Sequence, residues 1–485
     1  MNNATNDEKP DPSLGAPKTT AGMRALLGDP KKAIVKLALP MMLGMSVQTL
    51  YNLVDTFWVS GLGSDALAAV GFVFPFFFVI IALSNGLGVG AGSAIARRLG
   101  SKDKTGADNV AVHTMILMLL MSAVFTLTLF TFAEPIFAII GAGKTTAMAT
   151  SYGRIIFGGS ILLFFTNVAN AILRSEGDTK RAMNAMIFGS VLNIVLDPIF
   201  IYQFKMGVAG AAWATVLSMG VTAVLMSNWL FFRKDTYLSF DFKDFRFEKG
   251  ILRDISNVGI PASVQQASMA LMMLVMNVIV IAVSNTDGVA VYTVGWRVAT
   301  IALAPLIGVS TAVVTMTGFS YGESSYDKVS FTHIYAMKMG LLVETVIAVF
   351  TFVLAPQIAY AFTLSESASH ITDDLIIFLR IICIFYPTVS LGMISSSLFQ
   401  GVGKGLYALI ATILRAVIFV PIFALVFAFN LKMGLIGVWW GMVVGNILGS
   451  LFIFVWARVY VGKLLKTSNL ADVSHKLSDN EKLNV

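Results

Sequence analysis

The sequence is poor in nearly everything a soluble enzyme of its length displays at its surface and active site. Of its 485 residues only 13% are charged, four are histidine, and one, Cys383, is cysteine. A single thiol excludes an intrachain disulfide and a four-cysteine metal site, and a buried packing role is expected for it. The histidines (His113, His333, His370 and His475) are scattered, so the H-E-x-x-H zinc pattern is absent. The clustered aspartates that metal-dependent prenyl chemistry requires are missing too. So are the short alternating segments of a membrane β-barrel. What is abundant is apolar: 56% of residues are hydrophobic and the mean hydropathy is +0.79. These residues fall in runs of roughly twenty, enough to cross a hydrocarbon core at helical rise. Inside lipid the backbone must be satisfied within each segment, so such runs mean helices.

Reading runs between polar breaks gives twelve spans, six on each side of a charged stretch. The expected organisation is a disordered cytoplasmic tail at 1–30, six spans in 31–232, a linker at 233–253, six spans in 254–462 and a second tail at 463–485. The first tail is polar, with charges of both signs and no apolar h-region, unlike a signal peptide. With the amino terminus inside, alternate loops hold Arg97, Arg98, Lys102, Lys104, Arg174, Lys180, Arg181, Arg233, Lys234, Lys243, Arg246 and Lys249. The opposite loops hold Lys144, Lys205 and Lys432. That bias predicts a multi-pass protein of the plasma membrane with both termini cytoplasmic. It also accounts for the net charge of +7 without nucleic acid as a partner.

The two sets of spans are copies. KMGVAGAAW from Lys205 matches KMGLIGVWW from Lys432, DPIF at Asp197 matches VPIF at Val420, and YGRIIF around Arg154 matches FLRIIC around Arg380. The loop GSKDK at Gly100 answers GESSYDK at Gly322, and all four landmarks recur at a spacing of about 222 to 227 residues. Six spans per copy give both copies the same orientation, a parallel repeat about an axis along the membrane normal. Transporters place the substrate path between such halves, where rocking opens a cavity to either side in turn.

Against this symmetry the carboxylates stand out. Asp55 in the first span and Asp197 in the fifth have no acidic counterpart: the seventh span carries Met276, Asn277 and Val278, and the eleventh carries Val420. An ionisable residue inside a span marks an ion path or a partner charge by default. The static alternative for Asp197 is capping of a helix that restarts at Pro198, but the copy keeps Pro421 without the acid. Tyr51 and Asn193 each lie one turn before an acid, on the same face. Two carboxylates held close and away from water do not both stay charged cheaply. The pair therefore suits uptake of one proton, or of a sodium ion held with hydroxyl and amide oxygens; the residues leave both open. Glu344 in the ninth span is a further candidate. Pro40 can permit a bend in the first span, or a static kink. Arg154 and Arg380 repeat and so read as structural, snorkelling or pairing with loop acids.

At these residues the chain resembles the multidrug and toxic compound extrusion family, from about Asp29 to Tyr460. The string LPMMLGMSVQTLYNLVDTFWVSGLG, with Pro40, Gln48 and Asp55, looks like that family's first helix; LRSEGDTKRAMNA from Leu173 and the start of the sixth span at Gly207 also match. The resemblance implies two six-helix lobes in a V and cation coupling in the N-lobe. The archaeal and DNA-damage-inducible branch suggests Asp55, Asn193 and Asp197 as the coupling site, with Tyr51, Thr215, Tyr152, Asn167 and Gln48 as supporting polar groups. A sodium ion would lie among Asp55, Asn193, Asp197 and Thr215. The sodium-driven branch carries a glutamate in its seventh helix, where this chain has Gln265 and Gln266 and no acid.

The expected function is secondary active export of amphipathic, often cationic compounds by proton- or sodium-coupled antiport. No enzymatic activity and no cofactor beyond the coupling ion are expected, and the protein should act as a monomer in lipid. Met and Phe clusters such as 75–78 and 269–276 would suit adaptable contacts with such substrates. The alternatives are a lipid-linked sugar flippase, for which Arg297 and Arg415 are the available cations, or a membrane enzyme or channel.

Overall fold

The computed structural model describes residues 20–233, 235–240, 245–364 and 369–483. All regular structure among them is helical. The spans are α2 (Pro30–Ser60), α3 (Ser64–Gly100), α4 (Lys104–Ile139), a bent pair α5 (Thr146–Gly158) and α6 (Ser160–Ser175), α7 (Thr179–Pro198) and α8 (Gly207–Ser227). After the linker come α9 (Lys249–Val283), α10 (Thr286–Gly322), α11 (Tyr326–Val353) with the short α12 (Ala355–Phe362), and α13 (Thr372–Ile382) continuing into α14 (Tyr386–Gly401). The last two spans are α15 (Gly405–Thr412) with α16 (Val420–Leu425), and α17 (Gly434–Leu483). Eleven of these units are long and apolar enough to cross a membrane, and the α5–α6 pair, bent by 43°, makes twelve. Outward-facing residues such as Leu127, Val224, Val278 and Phe350 are more than half exposed, as a lipid-facing surface requires.

Local chemistry sets the ends of these helices. Asp29 caps α2 by accepting the Lys32 N–H, with Pro30 at the first helical position. Asp103 and Asp178 cap α4 and α7 in the same way. Arg97, Arg98 and Arg174 fall in last turns, where the helix dipole favours cations.

The repeat is legible in the backbone itself. α3 and α10 are both 37 residues long. Lys102 and Ser324, which follow them, adopt the left-handed conformation at φ 62° and 59°, and Lys205 and Lys432 do so at φ 55° each. Non-glycine residues rarely enter this region, so matched pairs at matched positions show that the turn geometry was duplicated with the sequence. π-helical turns at Ile199–Gln203 and Val426–Asn430 precede the second pair.

The two lobes meet at the face where α2 begins, called basal below. A side chain at Gly100 would run into the Phe319 carbonyl, and one at Gly322 into the Arg97 carbonyl, so α3 and α10 cross backbone to backbone. Gly86 and Gly90 of α3 likewise abut α9 at Gly259, and Gly308 of α10 abuts Met41 and Met42 of α2. Polar contacts close the crossing. Ser93 donates to the Gln400 carbonyl at 2.5 Å, and Thr315 donates to the Arg174 carbonyl at 3.3 Å, the same contact repeated by the copy. One side alone is ionic: Arg97 and Arg98 hold Asp254 at 2.5 and 2.9 Å.

The expected disordered tails need correction. Residues 1–19 lie outside the described part, but Ala21–Leu27 forms a helix, α1, with Met23 and Leu26 buried, rather than a disordered tail. At the other end α17 continues as helix to Leu483. The linker is docked on the basal face of the first lobe. Arg181 binds Asp235 (2.6 Å), Asp108 accepts the Ser239 N–H (2.9 Å), and His113 Nε2 accepts the Glu248 N–H (3.1 Å). Glu176, 1% exposed, accepts the Tyr237 and Leu238 N–H groups at 2.9 and 3.1 Å. Burial pushes its carboxyl up to about 8 against those two hydrogen bonds.

Candidate coupling site

Asp55 lies in the last third of α2 and Asp197 at the end of α7, so both reach the half of the N-lobe opposite the basal face. Packing of α7 on α2 and α8 brings them together, and the two carboxyl groups face each other within hydrogen-bonding range. Asp197 is fully buried and Asp55 half-buried. Asn193, one turn before Asp197, is also buried. Its amide donates to Asp197 Oδ2 at 3.0 Å while its oxygen accepts the Thr215 N–H at 3.1 Å. Thr215, on α8, donates its hydroxyl to the Ala211 carbonyl at 3.0 Å, leaving its lone pairs for the Tyr51 hydroxyl. Tyr152, from α5, stands close enough to feel both carboxylates. Four helices thus converge on one pair of acids.

Two oxygens of this cluster, Asp55 Oδ1 and Asp197 Oδ1, have no hydrogen-bond partner in the chain. An unsatisfied buried carboxylate oxygen is costly and fits a site completed by a proton or a small cation. The oxygens of Asp55, Asp197, Tyr51 and Thr215 supply hard ligands of the kind sodium takes. Asn193 in its present orientation turns nitrogen toward Asp197, and a half-turn of the amide would present oxygen instead.

The other residues singled out from the sequence lie outside this cluster. Gln48 is exposed, two turns below Asp55, and makes no hydrogen bond among the described residues. Asn167 donates to Ser84 at 2.8 Å and so ties α6 to α3. Pro40 sits inside α2, which runs through it without a break. Arg154 pairs with Glu134 at 3.6 Å, and Arg380 stands over the Phe352 ring at 5.5 Å. Cys383 is buried and free.

The C-lobe differs at the same depth. Val420 is fully buried where the N-lobe has Asp197. Gln265 donates to Thr412 at 2.6 Å and accepts from Gln400 at 2.8 Å, an uncharged network. Glu344 is fully buried with neither carboxyl oxygen partnered, and the Tyr386 hydroxyl beside it is unpartnered as well. Glu344 does not join the N-lobe pair. Sequence reasoning missed the Ser84–Asn167 bond and the Glu176 latch. The first gives no pattern, but an acid within a run that begins a basic loop (LRSEGDTK) was a visible signal for the second. No group of three or more His, Cys, Asp or Glu able to hold a metal occurs among the described residues.

A duplicated bundle of twelve spans, closed at one face and carrying a facing pair of acids in one lobe, defines a multi-pass membrane transporter rather than an enzyme. The MatE family model matches residues 40–199 and 261–426, one match per lobe, and the chain belongs to that family. The chain is 27% identical over 425 residues to the multidrug export protein MepA of Staphylococcus aureus (strain MRSA252), covering 87% of this chain and 92% of that one. Among solved structures it is 47% identical to a multidrug resistance MATE family transporter of the MOP superfamily in an outward-facing conformation, with a TM-score of 0.91 over 93% of this chain and all of that one. It is also 47% identical, with a TM-score of 0.89 over 92% of this chain and 99% of the other, to a MOP superfamily transporter from Pyrococcus furiosus Vc1 (DSM3638) described as having a binding pocket of reverse polarity that suggests a different function.

Proposed function

We propose that the protein exports amphipathic compounds, cationic ones among them, by antiport against a proton or sodium gradient, with Asp55 and Asp197 as the coupling pair. The carrying observation is that these two buried carboxyls face each other with an unpartnered oxygen each, in a lobe whose copy has no acid there. Multidrug export is what the MepA relative is named for. The basic residues of the basal loops make that face cytoplasmic by the positive-inside rule, in the plasma membrane.

The cycle follows from charge. A monovalent cation arriving from outside removes one negative charge from the pair; the less charged pair tolerates a drier, closed lobe, so cation binding favours one conformer over the other. Substrate leaves outward, and release of the cation inside restores the charged pair. Tyr51, Asn193 and Thr215 orient the acids by hydrogen bonds, and Tyr152 closes the cluster toward α5.

The test is transport of a fluorescent cationic dye into vesicles containing the purified protein, under imposed proton or sodium gradients applied separately. Asp55→Asn and Asp197→Asn are each expected to reduce driven transport at least about tenfold while leaving the protein folded. Driven transport at the wild-type rate in both variants would remove the pair from the mechanism. Whichever gradient drives the wild type identifies the ion.

A further inference from the structure

The C-lobe encloses a cation that no described carboxylate neutralises. Arg415 lies near the middle of the span Gly405–Asn430, where α15 passes into the π-helical turn Ile413–Phe419. It is 6% exposed. Its one hydrogen bond among the described residues is from Nη1 to Asn446 Oδ1 of α17, at 3.3 Å, a neutral acceptor at the long end of the range. No described carboxylate pairs with it.

The surroundings are shaped to this side chain. A Cβ at Gly392 of α14 would stand 3.1 Å from Arg415 Cδ and 3.3 Å from Nε, and one at Gly449 of α17 would stand 2.9 Å from Cγ. The Ser450 hydroxyl lies 3.0 Å from that same point beside Gly392, is fully buried and has no partner. An unsatisfied hydroxyl and an under-satisfied guanidinium therefore converge on one small space. A polar row leads out of it: Thr412, one turn before Arg415, binds Gln265, which binds Gln400, whose carbonyl meets Ser93 of the other lobe. The row ends at the lobe interface, where Gln265 and Gln400 are half-buried and Ser93 is fully buried.

A buried cation with no counter-charge is expensive, and π-helical turns recur at functional sites. Guanidinium presents a planar fork of donors that matches a carboxylate or phosphate, and a serine hydroxyl adds a further donor. We infer that Arg415, Ser450 and Asn446 form an anion-binding subsite in the C-lobe that takes the carboxylate or phosphate group of an amphipathic molecule. Gln265 and Thr412 extend the polar row from it toward the other lobe. The inference rests on the transport reading only for the fate of the ligand; binding itself needs no gradient, so it stands or falls apart from the coupling pair.

The full chain is placed in phosphatidylcholine nanodiscs and titrated with dansyl-aminoundecanoic acid and with its methyl ester. The acid is expected to bind at least about tenfold more tightly than the ester. Arg415→Gln should erase that preference, Arg415→Lys should keep part of it, and Ser450→Ala should lower it about threefold. Should the glutamine variant fail to fold, the lysine and alanine variants carry the comparison. Equal affinity for acid and ester in the wild type, or an acid preference that survives Arg415→Gln or, failing that, Ser450→Ala, overturns the inference. Repeating the titration with phosphatidylglycerol in the nanodisc distinguishes the two sources of the anion. Displacement of the probe identifies a lipid headgroup as occupant, and retention identifies the soluble amphiphile.

Discussion

Where the N-lobe buries Asp197, the C-lobe buries Val420; where the C-lobe buries Arg415, the N-lobe has Leu192. The two lobes share a backbone down to the left-handed lysines at 205 and 432 and the glycines at the crossing, yet differ in the charge they bury at these matched positions. Duplication preserved what sterics demands. A helix crossing at backbone distance tolerates only glycine, and a left-handed turn closes in only a few ways, so both copies had to keep them. The shared backbone does not demand buried charge, and the two copies differ in it.

Three comparisons probe that division. The largest effect should come from the shared scaffold: Gly100→Val and Gly322→Val each place a side chain against a carbonyl of the other lobe, and both should prevent basal closure to a similar degree. Reactivity of a cysteine introduced at Ala96, fully buried in the closed state, would report this; protection by one valine variant but not the other would break the symmetry argument.

An intermediate and unequal effect is expected from the polar ties across the same crossing. Asp254→Asn removes a carboxylate shared by Arg97 and Arg98, whereas Thr315→Val removes one neutral hydrogen bond. Because the Asp254 side chain is 32% exposed, solvent screening discounts the ion pairs, and a loss of about 1–2 kcal/mol is expected against about 1 kcal/mol for Thr315. Basal-to-basal distance distributions from spin labels on the two lobes should shift more for Asp254→Asn.

The smallest effect is a pH dependence confined to one lobe. Glu176 holds the linker, while its counterpart Val402 is apolar. Burial raises the Glu176 carboxyl from 4.5 to about 8, so the docked state favours the protonated form. Its contribution is full below about 4.5 and declines as pH rises through about 8. Hydrogen exchange at the Tyr237 and Leu238 amides should accelerate over that window beyond the intrinsic base-catalysed rise, and Glu176→Gln should abolish the excess. An identical profile in the glutamine variant would detach the linker from this carboxyl.

Much of this molecule was legible before folding. Apolar runs of span length, the basic bias of alternate loops and the matched strings at Lys205 and Lys432 led to twelve helices in two copies. The acids were legible by elimination, since the copy lacks them. That Gln48 is exposed and that Asn167 bonds Ser84 was not legible, because a motif records that a polar residue is present and not which way its helix is turned. The docked linker was read as a charged connector, since its anchors, Arg181, Asp108 and Glu176, lie far away along the chain.

Sequence by itself determined the class of structure: hydrophobic length and backbone hydrogen bonding leave a chain of this composition no option but helices across a membrane, and internal repetition makes them two lobes. Only tertiary structure decided which side chains meet. Asp55 and Asp197 are 142 residues apart along the chain, and neither helix alone says that they face each other. That meeting depends on the rotation and depth of α2 against α7, fixed by close packing at Gly44 against Met183 and Met186. The same holds for Arg415: its isolation was visible only once no acid was found within reach.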